Sequence, residues 1–214
     1  MSINTGPDNR PPLQRPVAAA LPLLLYPLWS HAMIRAGFES ASLLGLAVLA
    51  ALTLYLRGGP APGSLAAVAL LFGAALADLL LAHPVALYAP PILLPMAVAW
   101  MFGRTLLAGR QPLVEQIATA IVGDRHSSAE RRYMRTVTWL WTLLCSALTL
   151  NTILLLLLGA SPQTWSLFAN IINYLVIAGA MVGEYLVRCL RFGWPEDPLA
   201  FWRAVARIDW RRLS

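Results

Sequence analysis

The sequence predicts an all-α integral membrane protein, with six transmembrane helices, an interfacial amphipathic helix between the fourth and fifth, and a C-terminal amphipathic helix. Three observations predict it. Of the 214 residues 58% are hydrophobic and 12% charged, whereas a soluble domain carries about 25% charged residues. The chain from Thr136 to Gly183 contains no Asp, Glu, Lys or Arg, and one turn signal, Gly159-Ala-Ser-Pro-Gln163, divides it near its middle. A helix needs about 20 residues to cross roughly 30 Å of hydrocarbon, and only helices and closed barrels satisfy their own backbone there. Third, every basic residue is arginine, and all but Arg35 fall in the chain ends or in alternate connections between the apolar segments.

Taken in order, residues 1–16 are polar and rich in proline, with Pro7, Pro11, Pro12 and Pro16; they read as a flexible cytoplasmic tail. The apolar segment that follows lacks a cleavage site and precedes many others, so it is expected to be a retained helix rather than a signal peptide. It covers about 17–34 and contains Pro22 and Pro27, which free a carbonyl and kink a helix. The second span, about 41–56, ends at the dense turn signal Arg57-Gly-Gly-Pro-Ala-Pro-Gly63. The third, about 64–82, carries Gly73, Ala74 and Ala77, small residues that permit close helix contact. After His83-Pro84 the fourth span, about 85–102, holds Pro90, Pro91 and Pro95. Its first half is expected to be distorted. It is either a kinked packing helix or a broken helix lining a cavity.

From Arg104 to Arg135 the chain turns polar. Within it, residues 112–122 place Leu113, Val114, Ile117, Ile121 and Val122 at helical spacing. Eleven residues cannot cross a bilayer, so this is expected to be a helix lying in the interface. The fifth and sixth spans, about 136–158 and 164–187, form a hairpin whose charged ends share one side. Residues 17–191 thus form the membrane domain. In the remainder, 192–214, Phe192-Gly-Trp-Pro breaks the helix, and Asp197-Pro198 is an N-cap and first-turn pair. Arg203, Arg207 and Arg211 then share one helical face, suited to an anionic leaflet or to a soluble partner.

Six spans with an inner N-terminus put fifteen of the sixteen arginines on the inner side and leave only Arg35 outside. The positive-inside rule favours this orientation, so the chain is expected in a bacterial inner membrane with both termini cytoplasmic. The net charge of +6 reflects orientation; no nucleic-acid-binding motif accompanies it.

The candidate chemistry lies at the inner mouth of the hairpin. Glu184 and Arg188 stand at i and i+4, and an antiparallel hairpin brings Arg132 and Arg135 to the same end. One reading is an ion-pair girdle that fixes the hairpin at the interface. The other is an anion-binding pocket for a lipid headgroup or phosphate, since the guanidinium fork suits oxyanions. Tyr133, Trp139, Trp141, Trp165 and Tyr185 are then anchors or pocket walls, and Thr138 belongs to the same candidate site. Asn151, Asn170 and Asn173 are the polar groups inside the hairpin. Asn170 and Asn173 lie one turn apart, and interhelical hydrogen bonding is expected of both, with contact to a substrate as the other reading. Asp78, near the outer end of the third span, either snorkels, pairs with His83 or relays protons. No HExxH, Walker A or GxSxG motif occurs, and Cys145 and Cys189 match no metal spacing. No catalytic residue, metal or cofactor is expected.

The second half resembles a family of uncharacterised bacterial multipass inner-membrane proteins whose genes lie among those for aryl-polyene and xanthomonadin-type pigment lipids. The matching residues are Arg132-Tyr133-x-Arg135-x-Val137-Thr138-x-x-Trp141 and Gly183-Glu184-Tyr185-Leu186-Val187-Arg188. Pro112 with Glu115, and Tyr26-Pro27, are similar too. The resemblance implies a non-catalytic accessory role in making, modifying or exporting an acyl lipid. Membrane lipids, an acyl carrier protein or pathway enzymes, and an exporter are the partners expected; carrier proteins are acidic and suit an arginine-rich face. The alternatives are a small-molecule or lipid transporter, and a membrane enzyme acting on a lipid headgroup at the cytoplasmic face.

Overall fold

The computed structural model describes residues 14–56, 62–81, 86–107, 109–124 and 126–193. The expected C-terminal amphipathic helix, His83 with its turn, and nearly all of the N-terminal tail lie outside these residues. All regular elements among the described residues are helical. They fall into two compact units, Met1–Leu87 and Tyr88–Ser214.

In the first unit three consecutive helices pack each on the next: α1 (Gln14–Arg35), α2 (Glu39–Leu56) and α3 (Pro62–Leu81). Gln14 to Pro16, expected in the tail, are the first turn of α1, which runs through Pro22 and Pro27 as one helix. The α1–α2 corner turns at Gly37, whose φ of 82° suits only a residue without Cβ. There the Phe38 amide bonds back to the Met33 carbonyl at 2.9 Å, closing the helix end in a Schellman-type turn. The two helices meet through small and polar groups. Ser42 donates to Ser30 at 2.6 Å, with both side chains buried. Gly45 is required because a Cβ there would lie 2.0 Å from Nε1 of Trp29. On α3 the buried small residue is Ala75, while Gly73 faces open space and Ala77 is exposed. The expected contact face therefore sits elsewhere on the helix. Asp78 is buried and accepts the Leu87 amide at 3.1 Å, which satisfies a donor at the start of the following 3-10 turn, Ala86–Tyr88.

The second unit is built around α6 (Ser128–Leu157). Its closest-packed neighbour is α4 (Ala89–Gly103), so the helix is not simply one arm of a hairpin. Among the described residues, the distortion expected in the first half of the fourth span takes the form of the 3-10 turn Ala86–Tyr88 ahead of α4. Pro90 and Pro91 occupy the first helical turn, where an absent N–H costs nothing, and only Pro95 lies in the interior. Gly103 brings α4 close to α6, because a Cβ there would meet the Thr142 methyl at 3.2 Å. A 3-10 turn, Arg104–Leu106, leads towards α5 (Leu113–Val122), the expected interfacial helix. Thr105 joins the two, donating to the Phe102 carbonyl at 2.7 Å and accepting the Leu113 amide at 2.9 Å.

The last helix, Pro162–Phe192, comprises α7 (Pro162–Leu167), a π-helical turn (Phe168–Ile172) and α8 (Asn173–Phe192). It runs antiparallel to α6 and is joined to it by side chains. Thr152 of α6 accepts Nδ2 of Asn173 at 3.0 Å, and its carbonyl accepts Nε1 of Trp165 at 3.1 Å. Tyr88 packs edge-on against the Trp165 ring at 4.7 Å. The π turn shifts the register between Asn170 and Asn173. Asn173 crosses to α6, while Asn170 bonds to Ser166 of its own segment at 3.0 Å. Interhelical bonding, expected of both, is shown for Asn173.

Two helices are long and apolar enough to cross a membrane, Ser128–Leu157 and Pro162–Phe192; the apolar stretches Ala41–Leu52 and Leu65–Asp78 are shorter. Six crossings were expected, and two helices meet the requirement among the described residues. Only 22% of the most apolar window of each is buried within the protein. Leu143, Leu150, Leu157, Leu175, Val182 and Leu190 are among the exposed side chains of these two helices.

Candidate functional site

The position of the charged residues follows from helix length. The thirty residues of α6 extend about 45 Å at 1.5 Å per residue, well beyond roughly 30 Å of hydrocarbon. Ser127 caps the helix: its amide donates to Glu130 at 2.6 Å, and its Oγ accepts the Glu130 amide at 3.2 Å. The bond from the Ser127 amide favours the carboxylate, and together with the Ser127 side chain it holds Glu130 below the usual carboxylate range. The cluster Arg131 to Arg135 therefore lies inside the helix, not in a linker ahead of it. It precedes the uncharged run that begins at Thr136.

Arg131 ties this end together, meeting Glu115 of α5 at 2.6 Å and Asp124 at 2.7 Å. Gln111 adds a bond to Glu115 at 3.2 Å. Thr138, expected at the site, is buried and accepts the Val114 amide at 3.4 Å while donating to the Met134 carbonyl at 2.8 Å. It fastens α5 to α6 rather than lining the cavity beneath.

That cavity has a volume of about 350 Å³ and lies between α5, the first half of α6 and the end of α8. Phe102, Val114, Ile117, Val137, Trp141 and Met181 give it apolar walls. His126, Glu130, Tyr133, Glu184 and Arg188 are its polar groups. The Tyr133 hydroxyl donates towards both the backbone carbonyl of Glu184, at 3.2 Å, and its carboxylate, at 3.3 Å. Arg188 reaches the other carboxylate oxygen at 3.3 Å. Tyr133 stands on the charged side of Thr136. Burial, with the Glu184 charge and hydrogen bond, pushes its phenol up to about 12, so it stays protonated and donates. Phe192 packs edge-on against its ring at 5.2 Å, and the Arg191 guanidinium lies 5.9 Å from the ring centre.

A second cavity of about 140 Å³ lies deeper, between Pro91, Leu94 and Pro95 of α4, Cys145 of α6, and Asn173 and Ile177 of α8. Trp141 lines both cavities. A third, open cleft of about 640 Å³ holds Ser128, Arg132, Thr136 and Arg191 and shares Tyr133 and Phe192 with the first.

Of the residues singled out in the sequence, Tyr133, Trp141, Glu184, Tyr185 and Arg188 thus meet at the first cavity and Arg132 at the open cleft. Arg135 is exposed and lines none of these three cavities. Asn151 is half-buried on α6 and lines none of them either. Asp78 belongs to the first unit. His126, Met181, Arg191 and Phe192 were not foreseen. Helical spacing from Glu184 locates Met181 at i−3 and Phe192 at i+8, whereas His126 sits in a connection and carries no such signal. No group of His, Cys, Asp or Glu suited to a metal occurs among the described residues.

No protein-family pattern matches the chain, and neither a curated protein nor a solved structure matches it.

Proposed function

We propose that this is a multipass inner-membrane protein whose cavity beneath α5 binds the chain of an acyl amphiphile at the cytoplasmic face. In this reading it serves an acyl-lipid pathway as a non-catalytic accessory component. The observation that carries it is the form of that cavity: apolar walls of α4, α5, α6 and α8 residues, rimmed by Tyr133, Glu184, Arg188 and His126. Ligand sites commonly combine an apolar lining with a few placed polar groups. The exposed leucines of Ser128–Leu157 and Pro162–Phe192 support a lipid environment. The arginine distribution supports the cytoplasmic placement of the cavity.

The pathway itself, of the aryl-polyene or related pigment-lipid kind, is supported by the resemblance over Arg132–Trp141 and Gly183–Arg188. The acyl chain would come from a carrier protein or pathway enzyme and leave to an exporter. A lipid transporter is the second reading, favoured by the deeper cavity that shares Trp141 with the first.

Two experiments test the proposal. Protein purified in a neutral detergent and extracted with organic solvent should release an acyl amphiphile in stoichiometric amount. A deletion strain should show an altered acyl-lipid or pigment profile. Protein free of any such compound, from a strain whose profile does not depend on the gene, contradicts it.

A further inference from the structure

The chemistry of the amphiphile's head is written in the arginines that the ion pairs leave over. Arg131 is paired with Glu115 and Asp124, and Arg188 with Glu184. Their charges are largely cancelled within the protein. Arg132 and Arg191 come from different helices, α6 and α8, yet line the same open cleft, and neither meets a carboxylate among the described residues. Hydroxyls accompany them: Ser128 in the first turn of α6, and Thr136. The N-terminal end of a helix also carries a partial positive charge that favours an anion nearby.

The Arg191 guanidinium lies 5.9 Å from the centre of the Tyr133 ring, which restricts a side chain that is otherwise long and free. Tyr133 and Phe192 form part of both the cleft and the apolar cavity. A molecule with its chain in the cavity therefore has its head within reach of the cleft, past the edge of these two rings.

We infer that the cleft between Arg132 and Arg191 is an oxyanion site that receives the phosphate head of the amphiphile whose chain occupies the neighbouring cavity. This rests on the proposed acyl-chain site and adds the class of ligand: a phosphorylated single-chain amphiphile rather than a neutral one. The charges are delocalised and bidentate, which suits a phosphate more than a single hydroxyl. Free phosphate shares this chemistry.

The test compares a fluorescent alkyl phosphate with the uncharged alkyl alcohol of equal chain length, bound to full-length protein in neutral-lipid nanodiscs. Wild type should bind the phosphate about tenfold more tightly, the weight of one charge-assisted hydrogen bond. The double variant Arg132→Gln/Arg191→Gln should lose that preference while keeping its affinity for the alcohol. Raised salt should weaken the phosphate alone, a measurement on wild type that needs no variant. Inorganic phosphate competing at equal concentration assigns the site to the free ion, and failure to compete assigns it to a lipid head; both support an oxyanion site. Equal binding of the two compounds by wild type, with no salt dependence, overturns the inference and leaves the chain site standing. Binding of neither overturns both.

Discussion

The Tyr133 hydroxyl reaches both oxygen-bearing groups of Glu184, its carbonyl and its carboxylate, across 51 positions of sequence. This pair fastens the charged ends of α6 and α8. Tyr133→Phe keeps the ring that lies against Phe192 and removes only the hydroxyl. A loss of about 0.5–1.5 kcal/mol is expected, the net value of one hydrogen bond. Thermal unfolding in detergent checks it. An unchanged midpoint would show that the contact does not hold the helices together.

Deeper in the bundle, Asn173 and Thr152 are expected to be energetically coupled. Interhelical hydrogen bonds in membranes average about 0.6 kcal/mol and reach about 1.7. A double-mutant cycle of Asn173→Leu with Thr152→Val should give a coupling in that range. A coupling indistinguishable from zero would show that the bond from Asn173 to Thr152 does not hold the two helices together.

Trp141 stands where the two cavities meet, so it is expected to limit chain length. Trp141→Ala should shift binding preference toward amphiphiles several methylenes longer, each buried methylene adding about 0.8 kcal/mol. Affinities measured across a chain-length series check this. A variant whose preference stays where wild type has it would show that the cavities do not communicate.

The Ser127–Glu130 cap carries a pH dependence. The folded protein holds Glu130 below the usual carboxylate range through the Ser127 bonds, so the unfolded chain binds its proton more readily. The resulting stability is present above the ordinary carboxylate range and is lost as pH falls through the lowered value. Glu130→Gln, which removes the titrating group, should narrow the stability difference between neutral and acidic pH relative to wild type. Parallel unfolding-versus-pH curves for the two proteins would contradict this origin.

What the sequence made legible was local. The uncharged run from Thr136 to Gly183 marked the two longest helices, and the apolar spacing from Leu113 to Val122 marked α5. The start of α6 was legible in Ser127-Ser128-Ala129-Glu130, a capping-box pattern that the weight of the arginines obscured. The π turn at Phe168–Ile172 has no such signature, and it separates the roles of Asn170 and Asn173. The close packing of α6 on α4 is a relation between distant segments that periodicity does not carry. His126 and Arg191 entered the site for the same reason. The first comes from a connection and the second from a helix end, and only the folded chain brings them beside Tyr133.

The central claim is that the cavity beneath α5 holds an acyl chain. Ala118 lines it from α5 and is half-buried, so Ala118→Trp places a ring in the space. Equilibrium binding of a fluorescent single-chain amphiphile to wild type and Ala118→Trp, in neutral-lipid nanodiscs, is the decisive measurement. Wild type is expected to bind saturably, and the variant about tenfold or more weakly, as overfilling a site by more than about 1.4 kcal/mol requires, with its unfolding midpoint retained. Equal affinity in the two proteins would place the chain elsewhere and contradict the claim.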